Sequence, residues 1–249
     1  MIPFPFQRHE EILKLLETER SMTVHNLAKK LYISEVTLRR DLSILEKKGY
    51  VHRLFGGVTL AKYYNENLPI EMRERKNLQF KKIVAEKASR FLRDGSVIIM
   101  DGSTTVKMLL RYINSYKNIT IITNNLEIIN SIESSNITVF STGGNYNVRN
   151  QVFTGYHAEN MLKSIHADML FFSAQGYSEG GEITDSSEME SAIRRVMLSR
   201  ADKKVFLCDH TKLNSRYLFR ICDGTDVDHI VCDIELSPPA DGTYPYQDR

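Results

Sequence analysis

The stretch S-V-I-I-M-D-G-S-T-T, residues 96–105, joins an apolar run to a turn of small and hydroxyl residues. The run 97–100 is typical of a buried strand, and a helical pattern continues from Thr104. In open α/β sheets, ligands bind at the carboxyl ends of strands, where a helix N-terminus offers N–H groups to an anion. The stretch therefore predicts a strand–turn–helix unit that can hold a phosphate.

Similar apolar runs recur along the chain after this unit, and helical patterns separate them. The runs begin at Ile119, Ile137, Ala167, Lys203 and Asp228. Short strands that alternate with helices are typical of βαβ units, in which the strands are parallel. The sequence therefore predicts an α/β fold with a mainly parallel sheet.

The residues before this region follow a different pattern. Residues 23–31 place apolar side chains at helical spacing, and Ser34 is a candidate N-cap for a second helix that ends at Gly49. Residues 51–60 then predict two short strands around a Gly-Gly turn. Two helices joined by a short turn and followed by a hairpin indicate a winged helix-turn-helix, with the helix-turn-helix over 23–42.

The charge distribution supports a division into domains. Residues 1–62 carry 11 Lys and Arg against 7 Asp and Glu, a net of +4, whereas the whole chain has a net charge of +2. A basic N-terminal domain indicates a nucleic-acid partner. We predict a DNA-binding domain over 1–62, a polar connector over 63–81, a sensor domain over 82–236 and a tail over 237–249.

The bulk composition excludes several classes of protein. The chain of 249 residues is 42% hydrophobic and 26% charged, as in soluble globular proteins. No apolar stretch approaches the roughly 20 residues that span a bilayer. The three cysteines and seven histidines lack the spacing of a zinc site or a disulfide framework. We therefore expect a cytoplasmic protein without a metal or an organic cofactor.

The second helix of the motif carries the candidate base-reading residues. When its leucines face inward, the opposite face presents Val36, Arg40, Ser43 and Lys47, with Arg39 beside them. An arginine can donate two hydrogen bonds to a guanine edge, and Val36 can contact a thymine methyl group. Ser34, Thr37 and Lys47 suit phosphate contacts, and Gly56 and Gly57 let the wing approach the duplex. The alternative is a helical bundle with a basic face that binds no DNA.

The motif S-x-x-T-x-R-R-D-L-x-x-L-E-x-x-G, from Ser34 to Gly49, resembles the signature of the DeoR/GlpR family of bacterial transcription regulators. The resemblance continues through most of the chain, to about Asp233. It implies that the N-terminal domain binds operator DNA, usually as a repressor.

The turn 101–105 contains groups suited to a ligand. Gly102 permits a close approach, and Ser103, Thr104 and Thr105 supply hydroxyl donors. Asp101 fits a phosphate poorly because like charges repel, so it would accept hydrogen bonds from ligand hydroxyls or brace the loop. The alternative is that Ser103 or Thr104 only caps the helix and Asp101 only ends the strand.

Other predicted strands end in groups that agree with a ligand site. These groups are Thr123, Asn124, Gly143, Gly144, Asp209 and Lys212. Because parallel strands end at one edge of a sheet, we expect hydroxyls, an amide, bare backbone and a cation to meet there.

The same motifs resemble those of the DeoR-family sensor domain, in the same order. The resemblance implies a ribose-phosphate isomerase-like fold that binds a phosphorylated sugar or related metabolite. The positions that it carries over are Asp101, Ser103, Thr104, Thr105, Thr123, Asn124, Gly143, Gly144 and Lys212. Arg194 stands where the family often has lysine.

We predict a regulator rather than an enzyme and name no catalytic residue. Proton transfer on a sugar phosphate needs a carboxylate or a histidine, and residues 173–176 offer neither. Glu179, Glu182 and Asp185 follow in a Gly-rich loop, where solvated acids are common. The expected function is a homo-oligomeric repressor of carbohydrate genes that a sugar phosphate releases from DNA. The alternative is a sugar-phosphate isomerase or deaminase-like enzyme with an appended helical domain.

Overall fold

The computed structural model describes residues 5–19, 21–54, 57–60, 70–132 and 134–236. These residues form a small N-terminal domain and a larger α/β domain, which confirms the predicted fold class. The elements of the first domain are α1 (Pro5–Glu19), β1 (Ser21–Thr23), α2 (Val24–Lys30), α3 (Glu35–Lys47), β2 (Val51–Leu54) and β3 (Gly57–Leu60).

Helix α3 begins at its predicted cap, Ser34, and α2 begins at a cap of the same kind, Thr23. The Thr23 hydroxyl accepts the Asn26 N–H at 3.1 Å, and the Ser34 hydroxyl accepts the Thr37 N–H at 3.2 Å. Each bond satisfies a backbone donor that the first turn of a helix leaves unpaired. Gly49, at φ 76°, adopts the left-handed conformation just after α3.

The hydrophobic core of this domain and its wing also agree with the sequence pattern. Leu38, Leu42 and Leu45 are buried together with residues of α1 and α2. Strands β2 and β3 pair antiparallel, and β1 adds to β3 on its other side. Strand β1 was not predicted, because three residues are too short for a periodic signal.

The predicted connector, 63–81, is helical over much of its described part, residues 70–81. Helix α4 (Ile70–Arg75) and the start of α5 (Leu78–Ser89) lie within residues 70–81. Ile70 and Lys81 are only 2% and 5% exposed. The structure therefore differs from a solvated linker here, because several of the charged residues face a cavity of the larger domain.

The larger domain alternates strands and helices. Its main-sheet strands are β4 (Val97–Met100), β5 (Ile119–Thr123), β6 (Ile137–Ser141), β9 (Ala167–Phe172), β12 (Ala201–Cys208) and β14 (His229–Cys232). Its helices after α5 are α6 (Thr104–Lys107), α7 (Leu110–Ile113), α8 (Leu126–Asn130), α9 (Tyr156–Lys163) and α10 (Glu188–Leu198).

The main sheet has six parallel strands in the order β14-β12-β9-β4-β5-β6. Separate apolar clusters cover its two faces, so the strands are buried on both sides. Strand β4, from the opening stretch, lies in the middle of the sheet. Its carboxyl end therefore meets those of β9 and β12 at one edge.

Short strands complete the domain, and none of them was predicted. They are the hairpin β7 (Asn145–Asn147) and β8 (Val152–Thr154), and the small sheet of β10 (Gly176–Tyr177), β11 (Glu182–Asp185) and β13 (Phe219–Asp223). The hairpin packs closely on Gly102, where a Cβ atom would lie 2.3 Å from Val152 Cγ1. Gly102 therefore has a packing role.

Two chemical features of the described residues bear on function. Cys208, Cys222 and Cys232 are buried free thiols, and no group of His, Cys, Asp and Glu side chains in the described ranges is arranged to hold a metal ion. No helix within those ranges has the length and the apolar character needed to cross a membrane. The predicted tail, 237–249, lies outside the described residues.

Candidate functional site

The outer face of α3 presents the predicted base-reading residues to solvent. Arg40 and Lys47 are exposed, and Val36 is 72% exposed. Arg40 makes no hydrogen bond or ion pair with any residue that the structure describes. Its guanidinium is thus available for an external partner.

Other predicted residues on this face already have partners. The hydroxyls of Ser34 and Thr37 lie 2.9 Å apart, and Arg39 donates to Glu35 at 2.9 Å. The Ser43 hydroxyl donates to the Arg39 carbonyl and accepts from Arg53 Nη1, each at 2.9 Å. Arg53, on β2, is an exposed cation beside α3 that the sequence pattern did not identify.

The wing glycines have different positions. Gly56 lies outside the described residues. Gly57 is buried, and a Cβ atom there would lie 2.7 Å from a methyl group of Leu218 in the larger domain. The structure thus gives Gly57 a packing role at the contact between the domains.

Asp41 is a buried carboxylate on the inner face of α3. It is 3% exposed and accepts hydrogen bonds from Arg8 Nε at 2.5 Å and Arg8 Nη2 at 2.8 Å. His9 Nε2 lies 3.3 Å from the same carboxylate. Asp41, the acid of the R-R-D-L motif, therefore holds α3 against α1 and does not belong to the outer face of α3.

A cavity of about 360 Å³ lies at the carboxyl edge of the main sheet. The predicted effector residues that line it are Ser103, Thr104, Thr105 and Lys212. Asp209, also named among the strand ends, lines it as well. The other lining residues are Arg73, Lys76, Asn77, Lys81, Asn150, Ser173, Ala174, Gln175, Asp185, Ser187, Glu190, Arg194, Thr211, Ser215 and Tyr217.

Two lysines and two threonines form one wall of the cavity. Lys81 Nζ donates to Thr104 Oγ1 at 2.9 Å and to the carbonyl oxygen of Arg73. Lys212 Nζ donates to Ser173 Oγ at 2.7 Å and lies 3.5 Å from Thr105 Oγ1. Burial, together with the positive charge of Lys212, lowers the pKa of Lys81 to about 8. This wall is therefore suited to an anion.

The carboxylate nearest to this wall is already hydrogen-bonded. Asp209 Oδ1 accepts from the Thr211 N–H at 3.2 Å and from Asn77 Nδ2 at 3.3 Å. Asn77 adopts a left-handed φ of 57°, which places its amide between Asp209 and Thr211. The acid thus shapes the wall and only partly offsets its positive charge.

A buried ion cluster lies at another side of the cavity. Arg194 is 4% exposed and donates to Asp101 at 2.7 Å, Asp185 at 3.0 Å and Glu190 at 3.2 Å. Burial raises the pKa of Asp185 to about 6, although Arg194 opposes the rise. Three carboxylates around one guanidinium leave excess negative charge on this side.

The cluster corrects the interpretation of Asp185 and resolves that of Asp101. Asp185 is 3% exposed and ion-paired, so it is not a solvated loop acid. Asp101 is 1% exposed and accepts the Ser103 N–H at 3.1 Å as well as Arg194. It therefore braces the loop. Ser103 caps α6 by accepting the Val106 N–H at 3.2 Å, yet it also lines the cavity.

The remaining predicted effector residues are not among those that line the cavity. They are Asp101, Gly102, Thr123, Asn124, Gly143 and Gly144. Asn124 Nδ2 donates to the Phe153 carbonyl at 3.0 Å, and the Thr123 hydroxyl accepts the Asn125 N–H at 3.1 Å. At Gly144, a Cβ atom would lie 2.7 Å from the Thr154 carbonyl oxygen. The contacts of Asn124 and Gly144 secure the β7–β8 hairpin, whereas the Thr123 bond is local to the end of β5.

Sequence reasoning missed several cavity residues because they lie in helices and turns without a motif. One signal was available, since Lys81 occupies the apolar stripe of α5 with Val84, Ala85 and Ala88. A cation at a core position of a helix indicates a buried partner or a ligand. Arg73 and Asn150 gave no such signal.

Two family models match most of the chain. Residues 8–63 match the model described as the DeoR-like helix-turn-helix domain. Residues 76–234 match the model described as the DeoR C terminal sensor domain.

Curated relatives align over nearly their whole length. The HTH-type transcriptional regulator GolR of Listeria innocua is 30% identical over 94% of this chain and 92% of its own. The L-fucose operon activator of Haemophilus influenzae is 30% identical, and the lactose phosphotransferase system repressor of Staphylococcus aureus is 26% identical. Each of these alignments covers 92% of both chains.

Solved structures with a similar arrangement are distant in sequence. The ribose 5-phosphate isomerase A of Methanocaldococcus jannaschii is 18% identical, with a TM-score of 0.41 over 55% of each chain. The eIF2B delta subunit of Chaetomium thermophilum is 15% identical, with a TM-score of 0.49 over 67% of this chain and 59% of its own.

Proposed function

The chain belongs to the DeoR family of transcriptional regulators, and we propose that it represses carbohydrate genes until a phosphorylated sugar occupies the cavity. The names of its relatives refer to the L-fucose operon and to the lactose phosphotransferase system, which supports a carbohydrate-linked target. Because its DNA partner would lie in the bacterial cytoplasm, we place its action there.

The observation that carries the effector proposal is the cation-bearing wall of the cavity. Lys81 and Lys212 both line it, beside the hydroxyls of Thr104 and Thr105. A phosphate group accepts charge-assisted hydrogen bonds from ammonium groups and further bonds from hydroxyls. A phosphate bound there would also relieve the repulsion between the two lysines. Polar groups on the other sides of the cavity suit the hydroxyls of a sugar.

Operator recognition is assigned to the outer face of α3. In this proposal α3 lies in the major groove, Arg40 reads a base edge and Lys47 contacts a phosphate. The exposure of both side chains and the absence of a described partner for Arg40 support the assignment.

The active form is proposed to be a homo-oligomer. One winged helix covers one half-site, and tight specific binding usually requires two half-sites about one helical turn apart. Light scattering of the full chain, alone and on operator DNA, tests this proposal. A monomer under both conditions would contradict it.

The enzymatic alternative is not adopted. The family models and the relatives describe regulators. Two of the cavity acids, Asp185 and Glu190, are paired with Arg194, so neither is an unpaired base in this structure.

The central experiment measures operator binding across a titration of sugar phosphates. The full chain first selects its operator from a random duplex pool, and fluorescence anisotropy then follows release by a panel of pentose and hexose phosphates. We expect at least one compound to release the wild type from the operator.

The Lys212→Ala variant should bind the operator normally but require much more ligand for release. Lys203→Ala is the matched control, because Lys203 is an exposed lysine of β12, the strand that precedes the turn with Lys212, and it does not line the cavity. An equal response of wild type and Lys212→Ala would reject Lys212 as a ligand contact.

A further inference from the structure

Arg73 has a buried donor that no described residue satisfies. Its Nη2 donates to Asn150 Oδ1 at 3.0 Å, but its Nε is buried without a hydrogen-bond partner. No carboxylate of the described residues forms an ion pair with its guanidinium. Because buried N–H groups are nearly always paired, this donor points to an acceptor supplied from outside the chain.

The unpaired donor belongs to a residue that lines the cavity. Because the Nε atom itself is covered, an acceptor oxygen on a ligand in the cavity would satisfy it only after the Arg73 side chain shifts toward the cavity. The neighbouring lysine, Lys81, donates to the main-chain carbonyl of Arg73. The guanidinium is also close enough that, after burial and Lys212, its charge helps to lower the pKa of Lys81. Arg73 is therefore placed to hold the same anionic ligand as Lys81.

The position of Arg73 in the chain connects a ligand contact at this residue to the DNA-binding domain. Arg73 lies on α4, the first described element after the N-terminal domain, which ends at β3. Residues 61–69 are the covalent connection between β3 and α4. A ligand bound by Arg73 thus acts on the segment that joins the DNA-binding domain to the cavity.

The structure also contains a bond that such a ligand would change. The ammonium of Lys81 holds the Arg73 carbonyl and the Thr104 hydroxyl. A phosphate would compete for the ammonium protons of Lys81 while accepting a new bond from Arg73. A ligand shifts an equilibrium only through contacts that differ between two conformations of the protein, so the coupling requires that Arg73 and Lys81 reach the ligand together in only one of them.

We propose that Arg73 is an effector contact, that its Nε donates to an oxygen of the phosphorylated sugar, and that this contact couples cavity occupancy to operator binding through α4. The inference rests on the proposed function, and it adds the residue that transmits the signal. It assigns Arg73 a role in coupling, whereas Lys212 is proposed only as a contact to the ligand.

The test compares two charge-removing variants of the same helix in the full chain. Arg73→Gln removes the donor, whereas Arg75→Gln removes an exposed charge of α4 that does not line the cavity. Arg73→Lys keeps the positive charge but lacks Nε, and it takes the place of Arg73→Gln in the comparison if that variant does not fold. The probes are the sugar phosphate that releases the wild type and inorganic phosphate. The readout is the ratio of operator affinities without ligand and with saturating ligand, which typically spans 5–150-fold for coupled sites.

Without ligand, we expect Arg73→Gln and Arg73→Lys to bind the operator like the wild type. Their ratio of operator affinities without and with saturating ligand should be at least fivefold smaller than that of the wild type. Arg75→Gln should keep the wild-type ratio, and inorganic phosphate should still bind both Arg73 variants in competition with the sugar phosphate. A wild-type ratio in the Arg73 variants would overturn the inference while leaving the proposed function intact. If no probe releases the wild type, the proposed function fails, and the inference fails with it.

Discussion

The outer face of α3 and the cavity are built in opposite ways. The candidate DNA contacts lie within one helix of 13 residues and its cap, and Val36, Arg40 and Lys47 extend into solvent. The cavity residues come from segments between Arg73 and Tyr217, and many are buried and hydrogen-bonded to one another. A surface that binds an external duplex can keep its polar groups hydrated until contact. A site inside the fold holds most of its buried charges in hydrogen bonds before any ligand arrives.

This difference predicts which substitutions affect folding and which affect only binding. Removing a buried cavity ion leaves its partners uncompensated in a poorly solvated place. Removing Arg40 or Lys47 from α3 leaves no described partner unpaired. Stability and operator affinity should therefore respond to different residues.

The largest effect is expected at Arg194. Arg194→Met would leave Asp101, Asp185 and Glu190 close together without their cation. Removing one partner of a buried ion pair typically costs about 3–5 kcal/mol, so we expect the free energy of unfolding to fall by that amount in urea denaturation. Arg195→Met is the control, because Arg195 is the exposed neighbour on α10, and it should change stability by less than about 1 kcal/mol. Similar losses in both variants would contradict the distinction between the two sites.

The next effect concerns operator specificity. Arg40→Ala should leave the free energy of unfolding unchanged, because Arg40 is exposed and has no described partner. It should weaken binding by about 1–3 kcal/mol at the base pair that it reads and relax the preference there. Binding of single-base operator variants measures this. Lys47→Ala is the comparison, since a phosphate contact should weaken all duplexes alike and reduce the salt slope by about 1. An identical base preference in wild type and Arg40→Ala would remove Arg40 from the base-reading set.

The same difference explains what the sequence could predict. The leucine stripe, the Ser34 cap and Gly49 act within a few residues of one another, so periodicity alone located α3 and its outer face. The apolar runs likewise predicted the parallel strands. The strand-end rule then placed Ser103, Thr104, Thr105 and Lys212 on one cavity.

The parts that the sequence could not predict depend on tertiary packing. Asn124 occupies a strand end, yet its side chain secures a hairpin whose strands of three residues gave no signal. The Thr123 hydroxyl accepts the N–H of Asn125 and so braces the strand end itself. Arg73 and Lys81 belong to the cavity because α4 and α5 cover it, which no local pattern reveals. The polar connector predicted over 63–81 therefore contains a lysine, Lys81, that is buried in the cavity wall.

Effector binding should depend on pH through Lys81. Its pKa is lowered to about 8 from 10.5 by burial and by Lys212, so Lys81 loses its proton above that pH. A phosphate group becomes a dianion above its second pKa of about 6. Affinity should therefore be highest between about pH 6 and 8 and fall by roughly tenfold toward pH 9.5, as expected if binding raises the pKa of Lys81 by about one unit. Isothermal titration across this range is the measurement.

Two controls bear on the assignment to Lys81. Lys81→Met should bind the effector more weakly at pH 7 and lose the decline above pH 8. In the ligand-free wild type, the unfolded chain keeps the lysine proton up to pH 10.5, whereas the folded chain releases it near 8. Stability should therefore rise with pH between these values. A decline in affinity that persists in Lys81→Met would show that another group controls it.

The smallest effect compares one backbone conformation in the two regions. Tyr32, in the turn before α3, and Asn77, before α5, have left-handed φ values of 54° and 57°. This conformation disfavours a residue with a Cβ atom, and glycine adopts it without strain, although glycine loses more entropy on folding. Tyr32 is 94% exposed, so Tyr32→Gly removes little packing and should raise the free energy of unfolding by up to about 1 kcal/mol. Asn77→Gly gains less relief, because asparagine adopts this conformation more readily than tyrosine. It also loses the hydrogen bonds from Nδ2 to Asp209 and to Thr211 Oγ1, at 3.3 and 2.8 Å. Its net effect should be a decrease of about 1 kcal/mol in the free energy of unfolding.

Urea denaturation of the two variants should thus give changes in the free energy of unfolding with opposite signs. Stabilisation by both would mean that the Asn77 side chain does not hold the cavity wall, and that the cavity is less tightly preorganised than its hydrogen bonds indicate.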